Sequence, residues 1–219
     1  MKKIYNIGFI AGMLAFTANV FFIIAQILQL LGLLSYPYDE ISIYGFSLCI
    51  VIPFLLEILA LHYVTPKQKK FWSHAALIFT VIYAIFVTAN YVVQLATVIP
   101  FTLQGRADQI EVLVQYPHSL FWNFDAIGYI AMGIASFFVL PLFKKQRFDK
   151  WVRAAFLANV LVTPLIAFVY FYPNFSEKIL LLGIPWIITA PLMMLLLALR
   201  FRKQKIKHFG NQQRMKQSK

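Results

Sequence analysis

Apolar residues fall in six long runs, roughly 7–34, 42–64, 73–99, 119–143, 152–172 and 179–199, separated by short polar connections. At 1.5 Å rise per helical residue, about 20 residues cross the hydrocarbon of a bilayer. Backbone groups in hydrocarbon must bond within their own segment, so runs of this length predict helices rather than barrel strands. The expected fold is all-α: a polytopic integral membrane protein built as an up-and-down bundle of six transmembrane helices. The first run continues well past the apolar core of a secretory signal, which predicts a retained first span.

Within the runs, a few polar positions break the pattern. Thr80, Tyr83, Asn90, Gln94 and Thr97 share one face of the third helix at spacings of 3, 7, 4 and 3. Such a stripe is expected to face other helices or water. The first helix carries Asn19 and Gln26, and the fifth carries Asn159, Thr163 and Tyr170. Interhelical bonds from Asn, Gln and Thr are worth about 0.6–2 kcal/mol each, so structural glue competes with a solvated path or pocket as their role. Asn recurs after Ala at positions 19, 90 and 159, but the accompanying Trp motifs demand different offsets, so a duplication is only weakly suggested.

Two carboxylates lie inside runs. Glu57 is about seven residues, or roughly 10 Å, from one end of the second helix. An ionised carboxylate there carries a penalty on the order of a few kcal/mol, which makes it the sharpest candidate for binding a proton or a cation. Pro53, one turn before it, removes a backbone hydrogen bond. Asp125 sits about two turns into the fourth helix, where a helix N-terminus favours negative charge. Gln26, Asn90, Gln94 and Asp125 count to the same half of the bilayer, so an outward-facing polar cavity is one expectation and a cap-like structural Asp125 the other. The candidate substrate-binding set is Glu57, Asn90, Gln94, Asp125, Asn159 and Gln26.

Composition supports a membrane class. The 219 residues are 61% hydrophobic and 13% charged, against about 45–50% and about 25% in soluble domains. The net charge of +12 resembles a nucleic-acid signal until the charges are placed. All of the 20 Lys and Arg except Arg106 and Lys178 fall before odd-numbered runs or after even-numbered ones. Basic residues in short connections stay on the cytoplasmic side, which predicts both termini there and a cell-membrane, multi-pass location. The domain reading is one transmembrane unit, 1–200, followed by a basic cytoplasmic tail, 201–219. That tail is expected to touch anionic inner-leaflet lipids; it lacks the stacking platforms of a nucleic-acid reader. Oligomerisation and a membrane protein partner stay open.

Aromatic residues at the run ends fit the headgroup zone, except Trp186, nearly two turns inside the last run and expected to face the bundle. The connection near 100–118 has Ala107, Ile110, Leu113 and Val114 on one helical face with Asp108, Glu111 and Gln115 elsewhere, consistent with a surface helix or with an irregular loop packed on the bundle. No metalloprotease, nucleophile-elbow or phosphate-loop motif occurs, and His62 and His74 lack close ligand spacing. The chain leans away from an enzyme, and no cofactor or metal is expected. The function expected first is a small permease or channel-like protein for a polar or cationic solute. The alternative is a non-catalytic membrane accessory protein: an immunity, scaffold or sensor subunit.

Overall fold

The computed structural model describes residues 1–217. Lys219, the last cation of the expected tail, lies outside them, as do the side chains of His208, Arg214 and Lys216. Among the described residues the chain is all-helical, and six helices are long and apolar enough to cross a membrane. They are α1 (Lys2–Leu30), α2 (Tyr38–Val64), α3 (Lys70–Val93), α4 (Leu120–Val139), α5 (Arg147–Phe171) and α6 (Ile184–Gln217). Helices α1, α2 and α5 each begin four or five residues before the corresponding apolar run. Hydropathy marks where the side chains become apolar, whereas the helix is set by backbone bonds that continue into flanking polar residues. For the same reason α6 passes unbroken through residue 200, so its basic extension is helical as far as Gln217.

Each helix packs on the next in sequence, and α6 returns to α1, closing a ring. The helices are oriented inside-out relative to a soluble bundle. Helix α1 buries Gly8, Ala11, Gly12, Ala15, Ala18 and Asn19 while exposing Ile7, Ile10, Leu14, Phe21, Ile24 and Ile27. Small residues inward let backbones approach closely, and large apolar side chains outward suit a hydrocarbon solvent. The interior is filled by Phe54, Tyr83, Met132, Phe156, Met193 and Met194, all almost completely buried. Trp186 faces inward, edge-on to Phe22 and to Tyr129.

The two ends of the ring differ in charge. At one, the ammonium groups of Lys69 and Lys70 donate to the carbonyls of Pro141 and His62, and Arg200 pairs with Asp149 at 2.9 Å. Cations at free C-terminal carbonyls offset the helix dipole. Phe201 of α6 meets Tyr5 there, which brings the start of α1 to the same basic end. The opposite end carries Asp39, Asp108 and Glu111. It is tied by Gln29 donating to Asp39 at 2.9 Å and by the Trp122 indole donating to the Tyr170 carbonyl at 3.2 Å.

Candidate functional site

The polar stripe of α3 is present and inward, but its upper part is reshaped. After Val93 the helix widens into a π-helical turn, Gln94–Val98, before resuming as Ile99–Leu103. A π-turn holds more residues than an α-turn, so the buried position after Gln94 is Val98, and Thr97 is only half-buried. Such turns recur where a helix engages a special contact. Here the contact is the 104–119 connection, which is not an amphipathic helix. It forms two single 3-10 turns, Ala107–Gln109 and Glu111–Leu113, with Ile110 buried beneath.

Gln94 holds this connection as a strand neighbour would. Its amide nitrogen donates to the Leu113 carbonyl at 2.8 Å, and its oxygen accepts from the Gln115 backbone N–H at 3.2 Å. The Gln115 side chain then turns inward, accepting from Asn90 Nδ2 at 3.0 Å and donating to Asp125 Oδ2 at 3.4 Å. Asp125 also accepts from the hydroxyls of Tyr91 at 2.8 Å and Tyr170 at 2.5 Å. Tyr129 Oη lies 3.0 Å from Tyr91 Oη. One carboxylate thereby gathers α3, α4, α5 and the connection into a network whose members Asn90, Gln94 and Asp125 are at most 4% exposed. It is a bonded contact rather than the lining of an open cavity. The loop replaces water as the partner of the stripe.

Gln115→Ala is expected to release that loop. Amide hydrogen exchange over 104–118 should accelerate by about tenfold, corresponding to one or two lost hydrogen bonds of about 1 kcal/mol each. Unchanged exchange would show that Ile110 packing alone holds the connection down.

Asn159 lies apart, in a second bonded cluster. Its amide donates to Ser136 Oγ at 3.1 Å and accepts from Thr189 Oγ1 at 3.2 Å, tying α4, α5 and α6. Gln26, half-buried on α1, is in neither cluster. His62 is spent locally, with Nδ1 at 3.0 Å from Ser73 Oγ. Among the described residues no three His, Cys, Asp or Glu side chains come together to hold a metal ion.

Glu57 is different in kind. It is completely buried, and neither carboxylate oxygen has a hydrogen-bond partner among the described residues. The carboxyl group rests on Gly12 of α1, where a Cβ would overlap Oε1 and lie 2.8 Å from Ala198 Cβ of α6. Three helices thus enclose it, and the absence of a side chain at Gly12 makes the room. Three further polar groups of these same helices, Asn19, Ser47 and the Trp186 indole N–H, are also buried and unpartnered among the described residues. Buried polar atoms are nearly always paired with protein or water. These groups on α1, α2 and α6, joined by Asn90 Oδ1 on α3, contrast with the bonded side chains around Asp125 and Asn159.

The structure therefore brings Asn90, Gln94 and Asp125 together and leaves Glu57, Asn159 and Gln26 separate from them. Residues outside the sequence-derived set complete both places. Gln115 and Tyr91 bond to Asp125, Tyr129 joins them through the Tyr91 hydroxyl, and Gly12 lies against Glu57. A tyrosine inside a span needs a partner for its hydroxyl, and Tyr129 stands four residues from Asp125 on the same helix face, which is the signal that it belongs to this network, where it meets Tyr91. Gly8 and Gly12, four apart, carry the small-xxx-small spacing of a close helix contact.

Fold and site together define a class: among the described residues, an all-helical protein with six apolar helices long enough to cross a membrane and a buried carboxyl group without a hydrogen-bond partner. No family model, curated protein or solved structure matches the chain, so its function is read from its own chemistry.

Proposed function

We propose that the protein is a multi-pass membrane protein with both termini in the cytoplasm, acting as a small permease that binds a proton or small cation at Glu57. The basic end of the ring is the cytoplasmic one, by the rule that short lysine- and arginine-rich connections are not translocated. The observation that carries the reading is the unbonded Glu57 carboxyl. A dry carboxyl group without a donor is stable only when a proton or a cation neutralises it. Structural roles are filled differently in this chain, as the bonds of Asp125 and Asn159 show. Among the described residues, large buried side chains fill the bundle interior, which favours a carrier that rearranges over a channel. The bonded network at Asp125 closes the opposite end.

The test is flux into proteoliposomes across an imposed pH gradient. Glu57→Gln is expected to leave the protein folded and to abolish pH-dependent flux; unchanged flux removes Glu57 from the mechanism. A stability measurement adds independent weight. Replacing an unpaired buried ionisable group by an apolar one of similar shape tends to stabilise, so Glu57→Met should raise the unfolding free energy by about 1–2 kcal/mol. Orientation is read separately, by labelling a cysteine introduced near Lys207 in a Cys49→Ser background. Modification from outside intact cells reverses the map.

A second reading, a non-catalytic accessory subunit, is favoured by the Asp125 and Asn159 clusters, whose polar groups are largely spent inside the bundle. It predicts a stoichiometric membrane partner on purification and no flux from the protein alone.

A further inference from the structure

At the basic end, the N-terminus of α5 and the extension of α6 border a half-open hollow of about 500 Å³. Its lining includes Lys144, Arg147, Arg200, Lys203 and Lys207, with Asp149 as the single acid. Asp149 is already engaged by Arg200 at 2.9 Å, and the guanidinium of Arg200 also lies 4.8 Å from the Phe143 ring. Lys203 is steered by the Phe148 ring, 4.9 Å from its ammonium group. Lys144, Arg147, Lys203 and Lys207 thus have no ion-pair partner among the described residues. Arg147 moreover holds a left-handed backbone with φ 53°, a conformation costing roughly 1 kcal/mol or more for a non-glycine residue.

Four uncompensated cations around one hollow repel one another, and a polyvalent anion relieves that repulsion. Phosphate oxygens match both the guanidinium fork and the lysine ammonium groups. The volume lies within the range of small-ligand sites, about 300–1,000 Å³. What lies beside the hollow selects the source of the phosphate. One turn along α5 from Arg147 stands Trp151, 62% exposed, and then the exposed Leu157 and Leu161. A charged hollow followed along α5 by an exposed aromatic residue and then by exposed apolar ones matches the order of a phospholipid: headgroup, interface, acyl chain.

We propose that this hollow is a discrete binding site for the phosphate headgroup of an anionic phospholipid. It rests on the membrane reading above but not on the assigned orientation, since a leaflet meets this end in either case. It is also narrower than diffuse attraction to a basic tail, because it assigns the binding to four named side chains.

The test titrates phosphatidylglycerol into phosphatidylcholine nanodiscs holding the full-length protein and counts retained lipid by native mass spectrometry. One phosphatidylglycerol is expected to be retained preferentially. Each lost cation near a membrane surface weakens such binding by about fivefold, so Arg147→Gln with Lys203→Gln should weaken it by about 25-fold. Lys2→Gln with Lys3→Gln removes the same charge from the basic end outside the hollow, and should change retention by less than about twofold. Lys144→Gln with Lys207→Gln, both exposed side chains, repeats the measurement should the first pair elute as aggregate. Equal losses in the hollow and control variants, or no preference over phosphatidylcholine, overturn the proposal. Inorganic pyrophosphate is the soluble arm. Its binding at the same four residues without phosphatidylglycerol retention assigns the hollow to a free phosphate compound and overturns the lipid assignment. Reversed cysteine labelling, by contrast, overturns the orientation and leaves this result intact.

Discussion

Asp125→Ala is expected to lower the unfolding free energy by about 3 kcal/mol, among the largest effects of any single polar substitution in this protein. The carboxylate accepts from Tyr91, Tyr170 and Gln115. Removing it leaves the Tyr170 hydroxyl without that acceptor and the Gln115 amide without its inner partner. A buried donor left unsatisfied costs about 1–3 kcal/mol, while Tyr91 still has Tyr129 within reach. Thermal unfolding of the detergent-solubilised protein, followed by gel filtration, measures the loss. Asp125→Asn retains one acceptor oxygen and should fall between the two. A variant as stable as the parent would mean that ring packing around Tyr170 and Trp122, with centroids 4.5 Å apart, carries this contact without the carboxylate.

Gly133→Ala is the comparable steric case. A Cβ at Gly133 would overlap Thr163 Oγ1 and lie 2.5 Å from its Cγ2 and 2.7 Å from its Cβ. Rotating the threonine cannot clear its own Cβ, so α4 and α5 must separate. Overpacking of this kind costs about 1–3 kcal/mol. Separation would also stretch the nearby bond from Asn159 to Ser136, which joins the same two helices. The double variant Gly133→Ala with Thr163→Gly removes that Cβ as well and should recover the steric part of the loss, less the about 1 kcal/mol that a glycine costs within a helix. The same unfolding assay reads this, and failure of the second substitution to rescue would place the clash elsewhere.

Much of the architecture was legible because hydrocarbon imposes a coarse rule. Residues in a span must be apolar where they meet lipid, and run length then counts the helices. The bundle interior followed only partly. The α3 stripe was readable as a face, since 3 and 4 residue spacings are what an α-helix superposes. The π-turn after Val93 was not, because it is stabilised by the Gln94 contact to a connection far along the chain. Gln115 was placed away from the apolar face of a segment readable as a surface helix or as a loop packed on the bundle; the segment is the loop, with 3-10 turns that aim its side chain inward. Asn19, Asn90 and Asn159 look alike in sequence and meet three different fates: unpartnered, bonded to the loop, and shared between helices. Sequence identifies which groups need partners; only the fold decides which of them get one.

The closure of the ring between α6 and α1 has a consequence for biogenesis. Glu57 arrives on the second helix, but its enclosure needs Gly12 from the first and Ala198 from the last. While the chain is being threaded into a bilayer, that carboxyl group has only its α1 wall. Helix α6, which leaves the ribosome after α1 and α2, is the one that seals it, so a nascent chain stalled before α6 should still expose Glu57 to carbodiimide labelling, and the folded protein should not.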